Sequence, residues 1–145
     1  MMLDKKLKSL IQFSTNNQLH NENMSTNYRL YNKSILDISN GDIPNSSINM
    51  IITDPPYFDQ IAYSEYLKIW EHFTGYKSYL DKEIVVSNRK NSNKDKENYL
   101  RMIGNAFTII EKKLKQNGKM YLFFKDTDLV KLNLFLESVE KSGFI

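Results

Sequence analysis

Hydrophobic residues recur along this chain with different periods, and the changes of period mark its elements. Leu3, Leu7, Leu10 and Ile11 fall at i, i+4, i+7 and i+8 with lysines between them, which predicts an amphipathic helix over 2–13. From Ser14 to Thr26 the period is lost among Asn, Ser and Thr, the composition of a connector. Tyr28 to Tyr31 fits a short strand, Ser34 to Ile38 a brief helical turn, and Ser39 to Ser47 gathers turn formers. A near-continuous apolar run follows, Ile48 to Thr53, which suits a parallel strand covered on both faces. It stops at Pro55 and Pro56, which cannot donate to a sheet ladder.

Helical spacing then returns. Tyr66, Ile69, Trp70 and Phe73 predict a helix over 63–73 with Trp70 and Phe73 packed inward, His72 outside and Gly75 as its cap. A short turn is expected at 76–80. Ser87 to Asn98 is the most polar stretch and reads as a solvated loop, with a second reading in which its cations meet phosphates. Tyr99, Ile103, Ala106, Phe107, Ile110 and Leu114 mark the clearest helix, ended by Asn117-Gly118 with Lys112, Lys113 and Lys115 near its negative pole. Lys119 to Phe124 predicts a buried strand, and Leu129, Leu132, Phe135, Leu136 and Val139 a last helix. Ser142 to Ile145 turns out of it where another strand is expected to begin.

Strands separated by helices predict an α/β class with a mostly parallel sheet. Ligands in such sheets sit beyond the carboxyl ends of strands, where Asp54-Pro55-Pro56-Tyr57 lies.

Composition narrows this little. A chain of 145 residues supports one core, and a net charge of +3 permits a nucleic-acid partner without demanding one. The absence of cysteine excludes a disulfide framework, a thiolate zinc site and a cysteine nucleophile. His20 stands without a second metal-binding side chain at i+3 or i+4. With neither a signal-peptide pattern nor a span of about 20 apolar residues, a cytoplasmic protein is expected.

The proline loop sets a carboxylate, a constrained carbonyl and an aromatic ring side by side. The chemistry that wants this set is methylation of the exocyclic amino group of a base, a poor nucleophile because its lone pair is delocalised into the ring. Asp54 and the Pro55 carbonyl would accept the two amino hydrogens and free that lone pair. Pro55 and Pro56 would hold the carbonyl without reorganisation, and Tyr57 would stack on the flipped base, with Phe58 extending the platform. The bland alternative is a plain strand-to-helix turn.

Thr53-Asp54-Pro55-Pro56-Tyr57 resembles the catalytic motif of the amino-methylating DNA methyltransferases. The order behind it is also similar to a bacterial subgroup: Asp54 through Trp70, Glu83 to Arg89, the Tyr99 helix, Leu114 to Gly118 and Ser142-Gly143-Phe144, so that the resemblance covers about 28–145. It implies a partial Rossmann-like, S-adenosylmethionine-dependent methyltransferase fold over 27–145, preceded by a helix and connector over 1–26. It implies Asp54, Pro55, Pro56 and Tyr57 as catalytic residues, DNA as partner, and adenine N6 as target, since the motif begins with Asp rather than Ser. Arg89 and Lys90 are candidate substrate contacts beside Tyr57 and Phe58. The family often carries Gly-Asp before the catalytic strand, the acid contacting the cofactor's adenine. Here Lys33-Ser34 stands in its place, leaving Ser34 with Asp37 or Asp42 as cofactor candidates.

The family's glycine-rich cofactor loop has no counterpart, for Gly41, Gly75, Gly104, Gly118 and Gly143 are too far apart to form it. The expectation is therefore a catalytic half that has lost either what preceded it or what followed, and that needs a second chain to bind the cofactor. A non-catalytic nucleic-acid-binding or assembly module keeping the loop as a relic is the alternative, and RNA or another planar amide is a third possible target.

Overall fold

The computed structural model describes Arg29, Tyr31 and residues 33–59, 63–75, 80–87 and 93–144. The chain divides into two compact units, Met1–Asn32 and Lys33–Ile145, and every element named below belongs to the second. The expected helix over 2–13, the connector with His20 and most of the 28–31 strand lie outside the described residues, as do 76–79 and 88–92.

The elements are β1 (Ile48–Thr53), α1 (Tyr63–Thr74), α2 (Lys96–Lys113), β2 (Leu114–Leu122) and α3 (Leu129–Lys141), with 3-10 turns at Ile35–Asp37 and Leu80–Lys82. β1 and β2 run parallel, Met50 opposite Lys119 through Thr53 opposite Leu122. This is the α/β arrangement expected, with a parallel sheet of two strands among the described residues.

The stripe along α2 supplies the core. Tyr99, Met102, Ile103, Ala106 and Phe107 bury against Phe58, Ile84 and Phe135, and Met120, Leu122 and Phe124 pack on that cluster. Asp95 caps the helix by accepting from the Asn98 N–H at 2.7 Å, and Asp128 caps α3 in the same way, from Val130 at 2.9 Å. The polar stretch ahead of α2 is thus no free loop at its end. Lys94 turns inward and donates to the carbonyls of Asp81 and Glu83 at 2.7 and 2.6 Å.

Three expectations are corrected. The strands are covered on one face only: Met50, Ile52 and Tyr121 are exposed, as is Phe123 just past β2, while Met120 and Leu122 pack on the core. Continuous apolarity told that both faces can be buried, but the described residues supply a layer for one. On α1, Trp70 and Phe73 do not pack inward. They are exposed together with Tyr66 and Ile69, and Ser64 is the buried residue of that helix. Periodicity shows which side chains share a face and is silent on whether a neighbour meets it.

Third, α2 ends at Lys113, not at Asn117-Gly118. The turn before β1 closes it: Ser46 and Ser47 donate their N–H groups to the carbonyls of Lys112 and Lys113 at 2.9 and 3.0 Å. Lys113, itself buried, donates to Asn45 Oδ1 at 2.8 Å and to the Ser39 carbonyl at 3.2 Å. Gly118 lies within β2, where the register with β1 shifts between Ile48 and Met50. A Cβ there would stand 3.0 Å from the Ile48 carbonyl oxygen and 2.8 Å from Leu114 Cδ2, so the glycine serves a close approach of backbones.

Candidate functional site

β1 delivers Asp54 to Tyr57 as irregular backbone at its carboxyl end, and the loop is pinned from below at several points. The Thr53 carbonyl accepts from the Phe123 N–H at 3.0 Å, the Pro56 carbonyl from the Tyr99 hydroxyl at 2.7 Å, and the Phe58 carbonyl from the Val86 N–H at 2.7 Å. Among the described residues none takes up the Pro55 carbonyl. Asp54 is exposed, Pro55 buried, and Pro56 and Tyr57 half-buried.

The acid and the aromatic of the loop touch. The Tyr57 hydroxyl donates to Asp54 Oδ1 at 2.7 Å, and that bond is the chief reason the hydroxyl titrates above the ordinary tyrosine range. The Tyr57 ring meets Phe124 edge-on with centroids 5.2 Å apart, and Phe124 is stacked on the buried Phe135 at 3.7 Å. An aromatic column from the core thus sets the Tyr57 ring.

Phe58 does not extend the platform. It is 1% exposed and stacks on Tyr99, centroids 4.2 Å apart, so its role is to anchor the loop's far end. Lys131 of α3 reinforces that end through an ion pair with Asp59 at 3.0 Å.

An apolar cleft of about 370 Å³ adjoins the loop, lined by Asp54, Pro55 and Pro56 together with Ile35, Ile38, Ile51 and Ile103. The 3-10 turn that holds Ser34 and Asp37 borders it, but neither side chain lines it. Ser34 Oγ accepts from the Leu36 N–H at 3.3 Å, and Asp37 pairs with Lys82. Asp42 is likewise engaged, by Lys33 first and then by Ser39, which together hold its carboxyl well below the usual carboxylate range. Arg89 and Lys90 lie outside the described residues.

The cleft has the wrong chemistry for a whole S-adenosylmethionine. Apart from Thr53, Asp54 and Lys113 its lining is apolar, and the Lys113 ammonium is already bound to Asn45 and Ser39. Such a wall offers little to a ribose or an amino-acid head group.

A family model described as DNA methylase matches residues 48–145. The chain belongs to that family. The match begins with β1 and runs through the Asp54–Tyr57 loop, all three helices and β2. Neither the curated proteins nor the solved structures gave a match. Membership of the DNA methylase family implies methyl transfer to DNA as the activity in general.

Spacing alone missed Tyr99 and Phe124 as supports of the loop. Tyr99 is read from its period as one more core position, and its partner Pro56 is 43 residues away. The one signal was chemical, a hydroxyl within an otherwise apolar stripe.

Proposed function

We propose that this chain is the catalytic half of a DNA amino-methyltransferase acting on adenine N6, with a glycine-rich cofactor half supplied from outside these 145 residues. The observation that carries the reading is the pairing of an exposed carboxylate, Asp54, with a Pro55 carbonyl that takes no hydrogen bond among the described residues, on a loop held at the Thr53, Pro56 and Phe58 carbonyls. Two acceptors held in this way suit the two hydrogens of an exocyclic amino group. Accepting both leaves the nitrogen lone pair available to the methyl group released by its donor, the methylated nitrogen then gives up one of its two hydrogens as a proton to solvent, and the loop backbone need not reorganise as charge develops. Tyr57, backed by Phe124, provides the ring on which the flipped base stacks. A base entering the site exchanges its amino hydrogen for the Tyr57 hydroxyl at Asp54 Oδ1, or uses the other carboxylate oxygen.

The need for a cofactor half is supported by the missing glycine loop, the apolar cleft and the exposed side chains Met50, Ile52 and Tyr121 on the sheet. Domain limits of 1–26 and 27–145, and residence in the cytoplasm, belong to the same proposal. No helix among the described residues is long and apolar enough to cross a membrane.

Isothermal titration of the chain with S-adenosylmethionine tests the half-site claim. No binding in the micromolar range is expected, and micromolar binding by the chain alone would sink it. Methylation of adenine in DNA should appear on reconstitution with a glycine-loop half, and Asp54→Ala should lower it about 100-fold or more. DNA binding and assembly that survive Asp54→Ala, with no methylation by wild type, would favour a relic binding module instead.

A further inference from the structure

Beneath the loop lies a residue that takes no part in gripping a base. Tyr99 opens the apolar stripe of α2, is wholly buried, and meets the loop twice: its hydroxyl donates to the Pro56 carbonyl at 2.7 Å and its ring stacks on Phe58 with planes 30° apart. Packing accounts for the ring but not for the hydroxyl, since phenylalanine would fill nearly the same space and carry no polar atom to satisfy. The hydroxyl and the Pro56 carbonyl satisfy each other, and the bond fixes a particular peptide. That peptide joins Pro56 to Tyr57, so its plane sets the direction in which the Tyr57 side chain leaves the backbone. Tyr57 in turn reaches Asp54 at 2.7 Å.

We propose that Tyr99 is a positioning residue for methyl transfer: its hydroxyl fixes the Pro56–Tyr57 peptide, and through it the Tyr57–Asp54 pair and the adjoining Pro55 carbonyl. This rests on the reading of Asp54 to Tyr57 as the base-gripping loop. The neighbouring anchors do not replace it. Phe123 holds the backbone before the loop and Val86 holds it after, whereas the Tyr99 hydroxyl bonds a carbonyl within it. The two prolines restrict φ at positions 55 and 56 but leave the peptide after Pro56 free to rotate about ψ. The Tyr99 hydroxyl restrains that rotation.

Tyr99→Phe keeps the stack and removes the hydroxyl. The full chain labelled at tyrosine Cζ, with the Tyr57 signal assigned by Tyr57→Phe, reports by NMR where Tyr57 ionises. In wild type Asp54 holds the Tyr57 hydroxyl above the ordinary tyrosine range. In Tyr99→Phe, still folded by its dispersed spectrum, Tyr57 should ionise at lower pH because it no longer meets Asp54. A p-aminophenylalanine at position 99, which returns a donor to the same place, should restore the wild-type titration. A Tyr57 titration unmoved by Tyr99→Phe, or not restored by the amino analogue, would overturn the proposal. In a reconstituted complex that methylates, Tyr99→Phe should lower kcat about tenfold or more with KM nearly unchanged. A wild-type chain that methylates in no reconstitution sinks the methyltransferase reading instead, and the NMR comparison still decides whether Tyr99 governs Tyr57.

Discussion

Tyr57 donates its hydroxyl to Asp54 three residues before it, at 2.7 Å, so the acid and the aromatic of the loop are bound to each other. The pair shapes the loop before any substrate arrives. Asp54→Ala removes the acceptor, and Tyr57 should then ionise closer to an ordinary tyrosine, as ultraviolet or NMR titration would register. Stability should change by no more than about 0.5 kcal/mol, since Asp54 is exposed. Methyl transfer by a reconstituted complex should fall by about 100-fold or more.

Alkaline pH should loosen the fold through its tyrosines. Tyr57 and Tyr99 both ionise above the ordinary value, Tyr57 chiefly because of the Asp54 hydrogen bond and Tyr99 chiefly because of burial. The neutral form is therefore favoured in the folded chain. The stability it contributes is fully present below the unfolded tyrosine value of about 10 and is lost as pH rises through the raised folded values. Thermal melting followed from pH 8 upward should show a steep decline beginning near pH 10. Tyr99→Phe should make that decline shallower.

Phe58→Ala should cost about 3 to 5 kcal/mol in a urea unfolding curve, because the ring is buried against Tyr99. A platform residue facing a base would behave differently, with stability unchanged and DNA affinity reduced. The curve separates the two roles.

Glu83→Ala should fray α1. The Glu83 carboxylate accepts from both the N–H, at 3.2 Å, and the hydroxyl of Ser64 in the first turn of that helix. With its apolar residues exposed, α1 has little packing to hold it when this cap goes. A loss of about 1 kcal/mol is expected, read as roughly fivefold faster amide exchange at 66–74 while α2 is unaffected.

Gly118→Ala should destabilise the sheet by about 1 to 3 kcal/mol, since backbone oxygens of Ile48 and Lys115 would each lie 3.0 Å from the new methyl. Backbone atoms cannot step aside as a side-chain end can. Had this glycine ended a helix at positive φ, alanine would have been costly for strain instead. The β1–β2 amides should report the damage.

The sequence by itself determined the strand at Ile48–Thr53, the helices that begin at Tyr63 and Leu129, most of the helix behind Tyr99, and the place of the Asp54–Tyr57 loop at the end of the strand. All of these are local, since period, capping residues and proline act within a few positions of themselves. What spans the chain was decided by tertiary structure. Trp70 and Phe73 are exposed because nothing among the described residues meets their face, and Phe58 is buried because Tyr99, 41 positions on, stacks against it. Lys113 ends α2 four residues before Asn117-Gly118 because the Ser39–Ser47 turn, far back in the chain, takes up its last carbonyls. Spacing cannot show such partners, for a hydrogen bond between residues 43 apart leaves no period in the sequence.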